Sequence, residues 1–349
     1  MAELNSVGKK PGATAWLASG RGLLAIGVLA IGGVAFWLLR PSAPPLQPLP
    51  PVTIAVPQLL NAAPMFVANA QGLFEKAGVN IVNQPVLIGL DALKSMLAGK
   101  ADLALVADTP VMFATLAGAD VVILSGISTL PRSMRIVARV DRGIHREEDL
   151  AGKSVAITPG TNLPYFLDSV LQTMRIPIDA VKRVPLTTAE VIRAIQKGEV
   201  DAAVVFEPFA AKLHADMGDK LKTFYAEKLF SMRFVLVGKA GYVDSHPQEV
   251  QRVLRALIAA HASIDADPVA SRRMVGAAIK VDDALMVKMF DPQDFDVSLK
   301  QAQLLALEDQ TRWAMAQGLV KPGPVPNYLK LMKYQHLEAV SPNAVQLVR

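Results

Sequence analysis

One segment of the chain occurs twice, and this internal repeat limits the possible folds more than any other feature of the sequence. Residues 91–110 read DALKSMLAGKADLALVADTP, and residues 190–208 read EVIRAIQKGEVDAAVVFEP. In both copies an acidic residue is followed after eight residues by glycine, after three more by aspartate, and after six more by a second carboxylate. Each copy predicts an amphipathic helix, a glycine in a left-handed C-terminal cap, and a short buried strand that ends in a carboxylate.

The segments around the first copy extend this alternation of strands and helices. Strands are predicted at 52–56, 79–87 and 102–107, and helices at 64–77 and 91–98. This order is typical of α/β architecture with largely parallel sheets. Because the repeat is about 100 residues long and occurs twice, it indicates two similar lobes and not a solenoid.

The N-terminal part contains an apolar stretch that predicts a membrane-spanning helix. Residues 22–39 read GLLAIGVLAIGGVAFWLL, which is 18 residues without a charge. About 20 apolar residues span the hydrocarbon core of a bilayer. Lys9, Lys10 and Arg21 precede the stretch, and positive charge on this side predicts a cytoplasmic segment at 1–21 and an exported remainder. We therefore expect a transmembrane helix or signal anchor at 22–39, in contact with the lipid bilayer of the inner (cytoplasmic) membrane.

A cleaved signal peptide is the alternative interpretation of the same stretch. The tripeptide at 33–35, Gly-Val-Ala, has the small-x-small pattern of a cleavage site. The linker at 40–51 follows, and its PSAPPLQPLPP segment contains six prolines, which favours an extended, semi-rigid spacer. Under either interpretation the C-terminal domain lies on the periplasmic or extracellular side; a single-pass anchor would keep it attached to the membrane.

The composition excludes several kinds of site. The 349 residues include no cysteine, so disulfides, thiolate metal sites, cysteine nucleophiles and lipid-modified cysteines are excluded. The five histidines are scattered without ligand spacing, and we expect no metal site and no cofactor. The net charge of +5 is distributed without a basic stripe of interleaved aromatic residues, so a nucleic-acid partner is not expected.

Four segments of the exported part resemble those of a known family. They are AP-FVA-GLFEKAGV (63–79), G-DAL-ML-GKADLALV-DTP (89–110), EDLAGKSVAITPGT (148–161) and AI-KGEVDAAVVFEPF (194–209). In order and spacing they resemble the periplasmic solute-binding proteins of ABC importers, in the branch that binds nitrate, sulfonates and taurine and also thiamine-pyrimidine precursors. The resemblance covers roughly residues 52–345.

This resemblance implies a two-lobed periplasmic-binding-protein fold of type II with a hinge. Lobe 1 would comprise residues 52–130 and 239–349, and lobe 2 residues 131–238. Crossings between the lobes are expected near 127–135 and 229–235.

Ligands of open parallel α/β sheets bind beyond the carboxyl ends of the strands, against helix N-termini. The residues that we expect to bind ligand at these ends are Asn61, Pro64, Ile88, Gly89, Asp108, Thr109, Gly160, Thr161, Asn162 and Glu207. The Gly160–Asn162 loop opens a helix, and backbone N–H groups at a helix start favour an anionic group. Helix capping is the alternative role for Asp, Thr and Asn at such positions.

Two carboxylates and two arginines have more specific expected roles. Asp108 and Glu207 end equivalent strands, and paired across a closed cleft they would attract an amine or accept N–H bonds from a heterocycle. Their alternative roles are a helix cap and an edge position. Arg135 and Arg233 lie in near-identical Ser-Met-Arg contexts at the two expected crossings, where they could bind a carboxylate or sulfonate or form ordinary surface or interlobe salt bridges.

The function implied is capture of a small organic ligand, sulfonate-like, taurine-like or an amine-bearing heterocycle, by hinge closure for the transmembrane subunits of an ABC permease. No catalytic residues are expected, because no nucleophile, metal cluster or phosphate-binding loop accompanies the carboxylates. A ligand-sensing subunit for a membrane partner is the first alternative, and an enzyme on the same fold is the second.

Overall fold

Two five-stranded mixed sheets form the framework of the protein in a computed structural model that describes residues 51–224 and 230–348. The strands are β1 (Val52–Pro57), β2 (Ile81–Val86), β3 (Leu103–Ala107), β4 (Val122–Leu130), β5 (Met134–Arg139), β6 (Ser154–Ile157), β7 (Lys182–Pro185), β8 (Ala202–Phe206), β9 (Leu221–Phe224), β10 (Met232–Gly238), β11 (Leu299–Lys300) and β12 (Val345–Gln346). The order in the first sheet is β2-β1-β3-β10-β4, and in the second it is β7-β6-β8-β5-β9. The short strands β11 and β12 pair with each other.

Helices cover these sheets. The helices of the described residues are α1 (Ala63–Ala70), α2 (Leu73–Lys76), α3 (Gly89–Leu97), α4 (Asp108–Leu116), α5 (Leu163–Thr173), α6 (Thr188–Lys197), α7 (Phe209–Met217), α8 (Ala240–Ser245), α9 (Pro247–Ala266), α10 (Pro268–Ile279), α11 (Asp283–Met289), α12 (Gln301–Ala316) and α13 (Tyr334–Glu338). In the first lobe α9 packs against α1, and α12 packs against α4.

The predicted membrane segment at 22–39 and the segments at 1–21 and 40–50 lie outside the described residues. Among the helices of residues 51–224 and 230–348, none is long and apolar enough to cross a membrane.

The internal repeat is visible in the topology. The first copy forms α3 and β3, the second forms α6 and β8, and β3 and β8 occupy equivalent third positions in the two sheet orders. Both strands are buried along their whole length, which explains why their sequences are continuous apolar runs. Gly99 and Gly198 each have a φ of 73°, in the left-handed region that glycine adopts without steric cost.

The aspartate that follows each of these glycines by three residues fixes the repeat to the neighbouring strand in the second position of its sheet order, which is β1 in the first sheet and β6 in the second. Asp102 Oδ2 accepts a 2.8 Å hydrogen bond from Thr53 N, and Asp201 Oδ2 accepts a 2.9 Å bond from Ser154 N. Thus the equivalent aspartates in the two sequence copies make the same connection in the two lobes.

The chain crosses between the sheets twice. The first crossing joins β4 to β5, and the second joins β9 to β10. Because β10 lies antiparallel between β3 and β4, it belongs to the first lobe. The expected boundary of lobe 2 at residue 238 is therefore one strand too late: the apolar run of β10 continues the first sheet as soon as the crossing ends.

Two other sequence-based expectations need refinement. The sheets are largely parallel, as expected, but each contains one reversed strand: β10 in the first sheet and β5 in the second run antiparallel to both neighbours, while the other four strands of each sheet share one direction. The helix expected at 64–77 is divided into α1 and α2, because Gly72 between them takes a left-handed φ of 61°.

Replacement of Gly126 is expected to destabilise the first lobe. Gly126 lies in β4, and a Cβ added there would come within 1.9 Å of Gln303 Nε2 and 2.7 Å of the Ser298 carbonyl oxygen. Crowding of this kind costs about 1–3 kcal/mol, so Gly126→Ala should unfold at a lower urea concentration than the wild type. Gly241→Ala is the control, because its added Cβ meets no atom within 4 Å and alanine favours the α8 helix. Equal urea midpoints for the two variants would contradict this account of β4 packing.

Candidate functional site

A buried carboxylate, that of Asp108, is the point where three parts of the chain meet. Asp108 is the first residue of α4, directly after β3, and it is only 2% exposed. Its Oδ1 accepts hydrogen bonds from Thr109 N at 2.9 Å and from Asn162 Nδ2 at 2.8 Å. Its Oδ2 accepts a bond from Gln310 Nε2 at 2.9 Å. The carboxylate therefore joins its own helix, the loop before α5 in the second lobe, and α12.

Asn162 makes this contact a direct link between the lobes. It precedes α5 and is 1% exposed, and its Nδ2 also donates to Thr109 Oγ1 at 2.8 Å. The amide thus binds two consecutive residues at the start of α4. The loops after β3 and β6, which the sequence predicts to lie close together, are in direct contact here.

Burial dominates the electrostatics of Asp108. It raises the pKa of the carboxyl above its ordinary value, because the charged form loses solvation, while the charge of Arg233 and the three hydrogen bonds oppose part of this effect. The protonated form of Asp108 therefore persists to higher pH than that of an exposed aspartate.

Among the buried side-chain polar atoms without a hydrogen-bond partner in the described part of the chain, two belong to residues bonded to Asp108 and one to a residue of the loop after β1. They are Asn162 Oδ1, Gln310 Oε1 and Asn61 Nδ2. A buried polar atom without a partner is costly and requires an explanation. Two acceptors beside Asp108 and one donor after β1 therefore lack hydrogen-bond partners among the described residues.

A small cavity, here called the central cavity, lies between the lobes next to Asn162. Its volume is about 10 Å³, and its walls are Leu59, Ile88, Gly89, Leu90, Ala107, Pro110, Thr161, Asn162, Phe206, Met232 and Phe234. This is room for about one water molecule. The central cavity as it stands therefore has no room for an organic molecule.

A larger cavity, here called the mouth cavity, shares Ile88 and Leu90 with the central cavity. It has a volume of about 400 Å³. The first lobe contributes Leu87, Ile88, Leu90, Asp91 and Lys94 to its walls, and the second lobe contributes Thr158, Pro159 and the residues 185–190 at the start of α6. The two cavities are thus neighbours, separated in part by Ile88 and Leu90.

Several expected ligand-binding residues have structural roles in this arrangement. Gly89 allows a close approach, because an added Cβ would lie 3.0 Å from the Phe234 ring and 3.1 Å from Val106 Cα. Gly160 has a left-handed φ of 72°. Thr161 Oγ1 donates to the Thr158 carbonyl at 2.7 Å and accepts from Leu163 N at 3.2 Å, whereas the N-cap residue Asn162 makes no side-chain cap bond to α5. Pro64 lies in the first turn of α1.

Glu207 and Arg135 are not part of this cluster. Arg135 Nε lies 3.5 Å from Glu207 Oε1, and Glu207 Oε2 accepts a 3.1 Å bond from Ala211 N. Burial raises the pKa of the Glu207 carboxyl, although the charge of Arg135 and the bond from Ala211 oppose the shift.

The pairing of Asp108 with Glu207 that the repeat suggests is thus absent, and each carboxylate has its own partners. Side chains alternate in direction along a strand, so Phe206 faces the central cavity while Glu207 faces a different space. The two arginines with similar sequence contexts interact with different carboxylates. The charge of Arg233 favours the ionised form of Asp108, and Arg135 forms an ion pair with Glu207.

Glu207 and Arg135 border a third space, here called the hinge cavity. Its volume is about 620 Å³, and its walls are Arg132, Arg135, Glu207, Ala210, Ala211, His214, Ala215, Thr223, Asp282, Ala284, Leu285, Lys288 and Met289. The crossing between β4 and β5, the helix α7 and the helix α11 therefore enclose it.

Sequence reasoning missed α12 as a part of the site. One turn after Gln310, Trp313 Nε1 donates a 2.8 Å hydrogen bond to Oδ2 of Asp168, a buried residue of α5 in the second lobe. Asp168 also pairs with Arg183, and the Trp313 ring meets that of Tyr165 edge-on at a centroid distance of 5.0 Å. Gln310 and Trp313 thus connect α12 to both lobes. No local pattern reveals this, because Gln310 lies 202 residues from Asp108.

Comparisons with known proteins agree with this architecture. The solved alkanesulfonate-binding protein SsuA from Xanthomonas axonopodis pv. citri, bound to MOPS, matches with a TM-score of 0.69 and 19% identity, over 81% of this chain and 98% of that one. The fold is therefore the two-sheet α/β fold of periplasmic binding proteins. The desulfurization enzyme DSZB has the same fold, with a TM-score of 0.63 and 16% identity over 84% of this chain and 99% of that one.

The family follows from the sequence itself. A family model described as NMT1/THI5 like matches residues 60–271, and the chain belongs to this family. A protein of Bacillus subtilis (strain 168) described as aliphatic sulfonates-binding is 26% identical over 209 residues, which are 58% of this chain and 62% of the relative. The taurine-binding periplasmic protein of Escherichia coli (strain K12) is 24% identical over 223 residues, 62% of this chain and 68% of the relative. The match to the Bacillus protein thus spans less than two thirds of that protein.

Loss of the Trp313 indole N–H is expected to destabilise the protein. Trp313→Phe keeps an aromatic ring but removes the donor to buried Asp168, and a hydrogen bond to a charged group contributes about 1.5–3 kcal/mol. The free energy of unfolding should fall by roughly this amount, measured by urea denaturation with circular dichroism.

Tyr165→Phe is the matched control for this prediction. It keeps a ring of the same cluster and removes a hydroxyl that forms no hydrogen bond with any residue of 51–224 or 230–348. Its free energy of unfolding should change by about 0.5 kcal/mol or less. If Trp313→Phe is as stable as this control, the α12 contact does not hold the second lobe.

Proposed function

We propose that the protein is an extracytoplasmic solute-binding protein that captures a small organic ligand for an ABC importer. The observation that carries the proposal is the cluster at Asp108, where side chains of both lobes meet beyond the carboxyl ends of β3 and β6. Two further points support it: membership of the NMT1/THI5-like family, and likeness to proteins named for binding aliphatic sulfonates and taurine.

The ligand that suits this cluster carries an anionic group and an N–H group. Three helices begin at the central cavity, namely α3 at Gly89, α4 at Asp108 and α5 just after Asn162. Helix N-termini favour an anion such as a sulfonate. The Asp108 carboxylate, with Asn162 Oδ1 and Gln310 Oε1 beside it, favours an ammonium or heterocycle N–H. A taurine-like zwitterion supplies both groups, and an amine-bearing heterocycle supplies the second.

The proposed mechanism is capture by hinge closure. Because the central cavity has room for about one water molecule, the ligand must enter while the lobes are apart, through the side of the mouth cavity. The crossing at 131–133 would bend. Closure would return Asn162 and Trp313 to partners across the cleft, and a permease would recognise the closed form.

A ligand screen tests the binding proposal. The purified protein should show saturable thermal stabilisation by taurine or an alkanesulfonate, with nitrate, pyrimidines and amino acids screened alongside, because a ligand that binds only the folded state raises stability with its concentration. Asp108→Asn should weaken the affinity for an amine-bearing ligand by about tenfold or more, the size of one charge-assisted hydrogen bond.

Asp141→Asn is the control for this measurement, because it also removes one carboxylate charge but lies at the exposed start of the second lobe, paired with Arg139. It should bind as the wild type does. If no sulfonate stabilises the protein, the ligand class is wrong. If Asp108→Asn binds an amine-bearing ligand as tightly as the control, the role of Asp108 is wrong.

We further propose that residues 22–39 remain as a single-pass anchor and that the proline-rich segment at 40–51 holds the binding domain away from the membrane. The support is the uncharged 18-residue stretch and the absence of any cysteine for lipid attachment. The anchored form would deliver its ligand to a permease, or alternatively report the ligand to a membrane partner. Copurification of permease subunits with the protein would favour delivery to a permease.

Fractionation of cells that express the full chain tests the anchor. The protein should sediment with membranes, resist extraction by high salt, and retain its N-terminal residues by intact-mass measurement. A soluble exported form that begins close to residue 36 would show cleavage and contradict the anchor.

An enzyme is the second candidate class, favoured by the shared fold of DSZB. The same ligand screen discriminates between the two, because a bound metabolite recovered unchanged after incubation supports capture, whereas a new product would contradict it.

A further inference from the structure

We propose that the mouth cavity receives an apolar chain of the ligand and that Leu90 determines which chains the protein accepts. This inference rests on the function proposed above, because it assigns a second part of the ligand to a place beside the Asp108 cluster. It narrows the ligand to a polar head group that carries a hydrocarbon chain, in contrast to a compact ion.

Leu90 lies at the boundary of the two cavities between the lobes. Ile88 and Leu90 line both the central cavity and the mouth cavity. Ile88 is 5% exposed, and its carbonyl accepts bonds from Asp91 N at 3.1 Å and from Ala92 N at 3.3 Å. Leu90 is only partly buried. The start of α3 thus holds Ile88 in place, whereas the Leu90 side chain can change its rotamer without a movement of the backbone.

The Leu90 side chain reaches the second lobe. A Cβ added to Gly160 would lie 3.7 Å from Leu90 Cδ2, which is an ordinary van der Waals distance. Gly160 has a left-handed φ of 72°, a conformation that favours glycine over any residue with a side chain. At this boundary the first lobe therefore presents a leucine side chain to a bare segment of backbone, and a substitution of Leu90 changes the space between the lobes.

The mouth cavity offers a largely apolar wall on the far side of this boundary. Its volume is about 400 Å³, within the range of cavities that hold small organic molecules. Leu87 is 45% exposed to solvent, and covering such a side chain with hydrocarbon is favourable in proportion to the apolar area removed from water. The apolar residues that carry the argument are Leu87, Ile88, Leu90, Pro159, Pro185 and Leu186.

The charged residues of the same cavity do not favour an anionic group there. Lys94 and Glu190 are exposed, and Glu190 already accepts bonds from Thr187 N at 2.9 Å and from Thr187 Oγ1 at 2.8 Å. Asp91, in the first turn of α3, is partly exposed. The two carboxylates would repel an anion but leave an uncharged chain unaffected. The mouth cavity therefore suits the chain of the ligand and not its head group.

Calorimetric titrations of the purified protein with ethanesulfonate and hexanesulfonate test this assignment. Each further buried methylene raises affinity by up to about fourfold, so hexanesulfonate should bind the wild type about tenfold or more tightly than ethanesulfonate. Leu90→Trp should reduce this ratio of affinities to about one, because the larger side chain fills the boundary. Leu87→Ser should lower the ratio about threefold, because it removes apolar wall from the mouth cavity.

Leu319→Trp and Leu319→Ser are the matched controls. Leu319 is 49% exposed and lines neither cavity, so both variants should keep the wild-type ratio. Circular dichroism establishes that each variant is folded. If Leu90→Trp does not fold, Leu87→Ser decides the question, because replacement of an exposed leucine leaves the core intact.

The outcomes separate this inference from the proposed function. Equal affinities of the wild type for the two sulfonates would overturn the role of the mouth cavity and leave sulfonate capture intact. Equal ratios in Leu90→Trp and Leu319→Trp would overturn the role of Leu90. If neither sulfonate binds, the sulfonate class is wrong, and ethylamine and hexylamine are compared in the same way, because an amine is the other group that suits the Asp108 cluster. Failure of hexylamine to bind more tightly than ethylamine would then overturn the mouth-cavity proposal as well.

Discussion

The arrangement of the lobes depends on the buried carboxylate of Asp108. A carboxylate removed from water is unfavourable unless donors replace its lost solvation, and here the donors come from three places: its own helix, Asn162 of the second lobe and Gln310 of α12. Removal of either amide would leave the charge less compensated. The closed contact between the lobes is therefore coupled to the solvation of one side chain, and any ligand that separates Asn162 from Asp108 must supply equivalent hydrogen bonds.

The second lobe is also held by a different kind of contact. The Trp313 ring packs against Tyr165 and its N–H binds Asp168, so apolar burial and a charge-assisted hydrogen bond act at one residue. Gln310 and Trp313 are three residues apart, which places them on the same face of α12. This single helix face thus contacts Asp108 in the first lobe and Asp168 in the second.

Much of the framework could be predicted from the sequence, because it depends on local patterns. The repeat of helix, glycine, strand and carboxylate indicates the two sheets, since each part follows from side-chain periodicity or a left-handed glycine. The expected positions of Asn162, Thr109 and Asp108 at strand ends follow from the same logic, and the structure brings these three residues together. Whether they bind a ligand is a prediction that the binding measurements address.

The remaining features depend on packing between distant segments. The partner of Glu207 could not be predicted, because the equivalence of Asp108 and Glu207 in sequence does not specify which face of the strand end each side chain occupies. The assignment of β10 to the first sheet depends on the insertion of the returning chain between β3 and β4, which no local pattern specifies. The hydrogen bond from Gln310 to Asp108 depends on how α12 packs on α4. The sequence of an amphipathic helix does not indicate which helix it will pack against.

The position of α12 in the chain has a consequence for biosynthesis. Domains are made from the N-terminus at about 5–20 residues per second, and their earlier parts can fold while later parts are still being synthesised. The strands of both sheets are complete once β10 ends at Gly238, whereas α12 begins only at Gln301. During this interval both halves exist without Gln310 and Trp313, and Asp108 and Asp168 lack these donors. The final joining of the lobes is thus a late event in the maturation of the polypeptide, dependent on its C-terminal fifth.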